Sequence, residues 1–262
     1  MTTPLLQAPA HWRSVVFISD LHLQPELKKT VQGLDRFLQH HTADAVFLLG
    51  DVFEVWVGDD SAHSGFAAQG IELLRAAASR KPLYFMAGNR DFLLSEALLT
   101  SLGITKLADP TTFEFGNERF LLSHGDLYCT DDAPYQQFRQ MVRNPQWQMD
   151  FLHRPLSERL AIAQNMREQS QDFQKNKPSW IDLNQEVVAK ALQETGTATL
   201  IHGHTHAPQR HDLGRNAAGQ TLTREVLSDW DLDASQPRAE VFQLSLAPGG
   251  TQVMRSRYWP EN

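Results

Sequence analysis

The chain has 262 residues, 41% of them hydrophobic, and a net charge of −7. That length and apolar content suffice for one well-packed domain. The acidic balance argues against a general nucleic-acid binder, whose phosphate contacts need clustered Lys and Arg. A single cysteine, Cys129, excludes an intramolecular disulfide and fits a reducing compartment. The opening stretch MTTPLLQAPAHW has neither the basic start nor the apolar run of a signal peptide. No run approaches the ~18 apolar residues that span a membrane, so the expected place of work is the cytoplasm.

In chain order, SVVFIS (14–19) reads as a buried β-branched strand, and residues 26–40 carry apolar side chains at helical spacing (Leu27, Val31, Leu34, Phe37, Leu38). DAVFLLGD (44–51) is a second strand, 65–80 a second helix, and PLYFMAGN (82–89) a third strand. TTFEFGNERFLLSHGD (111–126) alternates about a Gly-Asn turn and predicts a hairpin. ATLIHGHTH (198–206) is another strand with a polar end, and strand-like runs recur near 221–227, 240–246 and 252–257. Helices between early strands and hairpins late in the chain predict an α/β fold of two packed sheets with flanking helices.

Residues 127–182 break this rhythm with helical character throughout, and are expected to form an insertion in a core made of 1–126 and 183–262. Between 134 and 180 lie seven Arg/Lys against four Asp/Glu, a local excess of +3 in a −7 chain, and three of the six methionines. Arg139, Arg143, Arg154 and Arg159 are read there as solvated helix faces.

The strands stop at chemically suggestive residues: Asp20 and His22, Gly50-Asp51, Gly88-Asn89, His124-Gly125-Asp126, and Gly203-His204-Thr205-His206. Ligands bind outside the carboxyl ends of strands in open α/β sheets, so five strand ends offer Asp, His and Asn side chains to one place. In extended backbone, residues two apart point the same way, which lets Asp20 with His22, and His204 with His206, each reach one ion. The glycines let the chain turn sharply beside these residues. Imidazole with carboxylate suits Mn, Fe or Zn. Seven donors exceed one ion's needs and suit two, bridged by Asp51, as in phosphoryl displacement.

That order of motifs, from residue 20 to 206, resembles the calcineurin-like metallophosphoesterases. The resemblance implies a four-layer α/β/β/α sandwich with the helical insertion as a cap. It implies Asp20, His22, Asp51 and His206 around a first metal, and Asp51, Asn89, His124 and His204 around a second. Many relatives carry His after the metal-binding Asn; this chain carries Arg90. A guanidinium stays protonated at any working pH and is no general acid, but it forks onto phosphate oxygens. A leaving group that needs little protonation, such as the phosphate of a pyrophosphate, fits that exchange.

Longer stretches, GDVFEVWVGDD (50–60), GNRDFLL (88–94), HGDLYCTDDAPYQQFR (124–139) and MREQSQDFQKNK (166–177), look like the family of UDP-2,3-diacylglucosamine hydrolases of lipid A synthesis. That family implies two Mn²⁺ ions, a UDP-linked diacylated glucosamine as substrate, UMP and 2,3-diacylglucosamine 1-phosphate as products, and a peripheral enzyme on the cytoplasmic face of the inner membrane. No nucleic acid and no obligate protein partner are inferred. By resemblance Asn89, Arg90 and His204 are catalytic, and these three with Asp132, Ser170, Gln174 and Lys177 contact substrate. Tyr135, Phe138, Met141, Trp147, Met149, Phe151 and Met166 can line a cleft for acyl chains, each buried CH₂ contributing ~0.8 kcal/mol. The alternative is a metallophosphoesterase for a soluble dinucleoside polyphosphate or phosphodiester. His202 is expected to be a hydrogen-bonded neighbour of the ligands, Asp59 and Asp60 to fix a loop, and Cys129 and Trp56 to pack.

Overall fold

The computed structural model describes residues 3–175 and 181–258; of 168–175 only the backbone path is described. Twelve strands are described, and they form two six-stranded sheets. One sheet runs in the order β12 (Gly250–Arg257), β11 (Glu240–Ala247), β2 (Ser14–Ile18), β3 (Ala45–Leu49), β4 (Leu83–Met86), β5 (Ile104–Leu107). The other runs β1 (Leu5–Gln7), β6 (Thr111–Phe115), β7 (Glu118–Leu122), β8 (Thr199–His202), β10 (Thr221–Val226), β9 (Arg210–Arg215). Strands β2 to β5 are parallel, as the crossover helices between them require.

The run SVVFI shows how the layers arise. Its side chains alternate between faces, yet both faces are covered, so the whole strand is apolar. Val15 and Phe17 point into the space between the sheets, where Phe47, Phe113, Phe115, Leu122, Ile201 and Phe242 meet them. The Phe47 and Phe113 rings lie 4.8 Å apart across this interface. Val16 and Ile18 point outward, onto α1 (Lys28–His40) and α2 (Gly65–Ala78), through Leu34, Phe37, Ile71 and Leu74. On the far side, Leu121, Leu200 and Leu222 pack against Val188 and Leu192 of α7 (Gln185–Thr195). These are the four layers expected for an α/β/β/α sandwich.

Three helices follow in the insertion: α4 (Ala133–Val142), α5 (Pro145–Leu152) and α6 (Leu156–Lys175). The first two are capped by Asp132 and Asn144, whose side chains accept backbone N–H groups of the opening turn, with Pro in that turn. Tyr128 and Cys129 belong to the buried cluster under α7, and α4 begins at Ala133. A short helix α3 (Glu96–Ser101), β1, β5, β9 and α7 are additional to the elements expected from periodicity. No helix among the described residues is long and apolar enough to cross a membrane.

Candidate metal centre

Each expected ligand sits in a tight turn just past a strand end, and the turns are zipped to one another. Asp20 N–H donates to Gly50 O (3.0 Å), Leu21 and His22 N–H both donate to Asp51 O (2.9 and 3.0 Å), and Gly203 N–H donates to His124 O (2.9 Å). The backbone there is not extended. Among the described residues the only non-glycine residues with positive φ are Asp20 (54°), His22 (46°), Asp51 (54°), His204 (68°) and His206 (53°). Left-handed backbone costs an ordinary residue about 1–3 kcal/mol and persists where the surroundings impose it. The paired residues therefore converge because both sit in left-handed turns, not because a strand's alternation aligns them. Not every neighbouring glycine supplies a sharp turn either. Gly88 and Gly203 have no positive φ; they are needed for space, because a Cβ would press on Asp51 at the first and on Asp20 and Ser19 at the second.

The side chains form two groups that can hold a metal ion, Asp20–His22–His206 and Asp20–Asp51–His124. In the first, the Nε2 atoms of His22 and His206 face each other at 3.2 Å, and Asp20 Oδ1 lies 3.3 Å from His206 Nε2. In the second, His124 Nε2 is 3.8 Å from Asp51 Oδ2. Asn89 extends it: its Oδ1 lies 2.9 Å from His124 Nε2 and 3.0 Å from His204 Nδ1. All seven expected ligands are thus brought to one locus. Asp20 belongs to both groups, and Asp51, whose Oδ1 accepts from the Arg90 N–H at 2.8 Å, keeps Oδ2 toward His124.

The donor set fits a cation. Asp20 Oδ1 is fully buried and makes no hydrogen bond, and it lies 3.3 Å from His206 Nε2. Burial presses Asp20 toward its neutral form, but His206, His124 and His22 outweigh it and hold the carboxyl well below the usual range. Burial lowers His124, yet the carboxylates of Asp51, Asp20 and Asp126 raise it to about 9. Burial and the neighbouring His124 push His204 down to about 4. Histidines driven apart in this way are a mark of functional sites.

Around these residues lie others that the sequence reading passed over. Asp91, fully buried, accepts N–H groups from Val52 (2.7 Å) and Gly88 (2.8 Å), clamping the two loops that carry Asp51 and Asn89. It is turned away from Arg90, whose Nη1 instead approaches Glu54 Oε1 at 3.9 Å. Glu54 Oε2 lies 2.9 Å from His22 Nδ1. Ser19 Oγ donates to Asp20 Oδ2 at 2.6 Å. His202 is a buried neighbour of the ligands, as expected: its Nδ1 contacts Gly203 O at 2.8 Å, and burial lowers its pKa to about 3.

Of the four arginines expected on solvated helix faces only Arg154 lies on one, half exposed and paired with Glu158. Arg139 pairs with buried Asp126 at 2.8 Å. Arg143 donates to Gly88 O at 2.8 Å, next to Asn89. Arg159, 3% exposed at its side chain, binds Val57 O and Asp60. All three fasten the helices to the core. Asp60 is thereby a loop-fixing residue, as is Asp59, which accepts from Trp56 Nε1 and Ser95 N. Of the aromatic and methionine residues expected at a cleft, Trp147 and Phe151 stack at 5.0 Å and pack on the main core, whereas Met141 and Met149 are exposed. Tyr135 directs its hydroxyl to Asp126 (2.7 Å) and its ring toward His204 (5.9 Å). Asp132 caps α4, accepting from Tyr135 N. The side chains of Ser170 and Gln174, and Lys177 altogether, lie outside the described residues.

The family model of the calcineurin-like phosphoesterases matches residues 13–208. The UDP-2,3-diacylglucosamine hydrolase of Bordetella pertussis is 45% identical over 224 residues, covering 84% of this chain and 86% of that protein. The protein of that name from Aromatoleum aromaticum is 44% identical, with 84% and 91% covered, and the one from Stenotrophomonas maltophilia 40% identical, with 89% and 97% covered.

Proposed function

The chain belongs to the calcineurin-like phosphoesterase family, and from that premise we propose that it hydrolyses the pyrophosphate bond of UDP-2,3-diacylglucosamine. Water enters at phosphorus, one P–O bond of the pyrophosphate breaks, and the products are UMP and 2,3-diacylglucosamine 1-phosphate, a step of lipid A synthesis. The observation that carries this reading is the convergence of Asp20, His22, Asp51, Asn89, His124, His204 and His206 on one locus with Arg90 at its edge.

The residues fit two divalent ions, Mn²⁺ in this proposal, with Asp20, His22, Asp51 and His206 around one and Asp51, Asn89, His124 and His204 around the other. When bound, such ions polarise phosphoryl oxygens and lower the pKa of an attacking water. Arg90 is 26% exposed at its side chain, and its buried Nε has no hydrogen bond. Its guanidinium is thus available to clamp the phosphate and neutralise charge gathering there. No proton donor is asked of it, because a departing phosphate monoester needs little protonation. Asn89, Arg90, Asp132, Ser170, Gln174, Lys177 and His204 are the proposed substrate contacts. The exposed Met141, Met149, Leu152 and Leu160 on α4 to α6 supply apolar surface of the kind that acyl chains or a bilayer face cover. This supports a peripheral location on the cytoplasmic face of the inner membrane, with the insertion as a lipid-binding cap.

The test is direct. Purified protein is incubated with Mn²⁺ and UDP-2,3-diacylglucosamine in mild detergent, and products are identified by mass spectrometry with a chelator control. UMP with the diacylated sugar phosphate, lost on chelation, is the expected result. Turnover only of soluble dinucleoside polyphosphates or simple phosphodiesters would overturn the lipid substrate and leave a phosphoesterase.

A further inference from the structure

Glu54 is a carboxylate without an assigned task. It belongs to neither group of metal-competent residues, yet it is 8% exposed, and a carboxylate is rarely buried unless paired. Its partners are three basic groups. Oε2 lies 2.9 Å from His22 Nδ1, Oε1 lies 2.9 Å from Arg167 Nε, and the same Oε1 lies 3.9 Å from Arg90 Nη1. The backbone holds it there: Glu54 N–H donates to Leu23 O at 3.2 Å, and Leu23 and Phe53 form a parallel bridge. The loops carrying Glu54 and His22 are therefore stitched together beside the contact.

These three partners have different functions in the proposed reaction. His22 turns Nε2 to the first metal group, so its Nδ1 must carry the proton. A carboxylate 2.9 Å from Nδ1 favours that tautomer. Arg90 is the proposed phosphate clamp. Arg167 belongs to α6 of the insertion, and Glu54 is the core residue that meets it.

We propose that Glu54 is a positioning residue joining the metal centre to the cap: one carboxylate oxygen holds His22 in its metal-binding tautomer, while the other seats Arg167 of α6 beside Arg90 to receive the substrate's phosphates. The substrate half of this assignment rests on the proposed hydrolase reading; the metal half does not. Glu54 touches no reacting atom, and its removal is felt through His22 and the two arginines.

Chelator-treated parent, Glu54→Ala, Glu54→Gln and Arg167→Ala proteins are titrated with Mn²⁺, the free ion being read by electron paramagnetic resonance. KM is then measured at saturating Mn²⁺. Glu54→Ala is expected to weaken Mn²⁺ binding about 10- to 100-fold, the usual effect of losing a carboxylate behind a ligating histidine. Glu54→Gln should recover most of that loss, since an amide oxygen still accepts from Nδ1, a recovery that a merely structural role does not predict. Arg167→Ala should leave Mn²⁺ affinity unchanged and raise KM, and Glu54→Ala should raise KM as well. The thermal midpoint of each metal-free protein separates misfolding from weakened binding, and Glu54→Met replaces the alanine variant if that one does not fold. Parent-like Mn²⁺ binding by the alanine variant, or a loss that glutamine does not relieve, would overturn the assignment. The Mn²⁺ titration needs no substrate, so it stands or falls apart from the lipid reaction.

Discussion

Asn89 Oδ1 lies 2.9 Å from His124 Nε2, and the same oxygen lies 3.0 Å from His204 Nδ1. One amide oxygen thus meets two imidazole nitrogens. Histidine 124 favours its proton and His204 refuses one, for the carboxylates near the former and the burial of the latter act oppositely. Without metal each imidazole can donate an N–H to that oxygen, since a neutral His204 still carries one; with metal the same three atoms would offer lone pairs. His124→Ala removes the member that also faces Asp51. It should eliminate turnover and lower bound Mn²⁺ by one equivalent, measured by elemental analysis after gel filtration. Retained turnover with full metal content would remove His124 from the site.

Arg90 is tested differently. Its backbone N–H holds Asp51 Oδ1 at 2.8 Å, a bond that substitution leaves in place, whereas its guanidinium is proposed to act only on substrate. Arg90→Ala should therefore keep its metal and lose about 10²–10³ in kcat, the scale set by losing one preorganised charge-stabilising group. Arg90→Lys should recover little, because an ammonium does not fork onto two oxygens. A variant that loses Mn²⁺ along with its rate would make Arg90 structural.

The locus was legible because every ligand follows an apolar strand, and strand ends are recognisable from composition. How the ligands converge was not. The left-handed backbone at Asp20, His22, Asp51, His204 and His206 is imposed by hydrogen bonds between loops far apart in sequence, such as His22 N–H to Asp51 O. Glu54 was hidden for a related reason. It interrupts the apolar run VFEVW, where a local reading sees a solvent-facing residue, and only the fold brings Arg90, Arg167 and His22 around it. Arg139, Arg143 and Arg159 misled in the same way, since a charge on a helix reads as solvated until its distant partner is known. Helix α7 is a different omission: its cap Asn184, its apolar Val187, Val188, Ala191 and Leu192, and Gly196 in the left-handed region at its end are ordinary helix signals.

Arg159 is one of the ties that hold α6 to the core, beside Arg167 and the apolar Leu156, Ile162 and Ala163. Its guanidinium serves Val57 O and Asp60, and its Nε donates to Arg154 O at 3.0 Å. The side chain of Asp60 is 58% exposed, so its charge is screened and the ion pair itself contributes little. Leaving the carbonyls without a donor matters more, at roughly 1–3 kcal/mol. Arg159→Leu should destabilise the protein by about that much, while Asp60→Asn should cost under ~1 kcal/mol, both read from denaturant unfolding. Equal effects would mean that the charge pair, not the carbonyl contacts, secures the helix. The same ties explain why excising 134–180 is a harsher operation than trimming a loop: it also strips Arg139 from buried Asp126 and Arg143 from Gly88 O.

Removal of metal should expose a pH dependence whose sign follows from the histidines. An imidazole in the unfolded chain titrates near 6.5, whereas in the metal-free fold His124 is raised to about 9. Between those values the folded protein holds a proton that the unfolded chain has released, so the stability His124 contributes is complete below 6.5 and is lost as pH rises through 9. His22, raised because Glu54, Asp51 and Asp20 outweigh its burial, acts in the same direction. On the acid side His204, lowered to about 4, and His202, lowered to about 3, refuse protons that the unfolded chain binds, so stability falls as pH drops below 6.5. Asp91, raised to about 6 by burial and by Asp51, opposes them, whereas Asp20 and Asp126, held well below the usual carboxylate range, add to the acid loss. The alkaline limb isolates the histidines. Thermal midpoints of chelator-treated protein should decline from neutral pH toward pH 9, and Mn²⁺ should abolish the decline, because the ion takes the lone pair in place of the proton and binds more tightly as pH rises. A chelated protein whose midpoint is flat or climbs over that interval would show that His124 does not keep its proton among Asp20, Asp51 and Asp126.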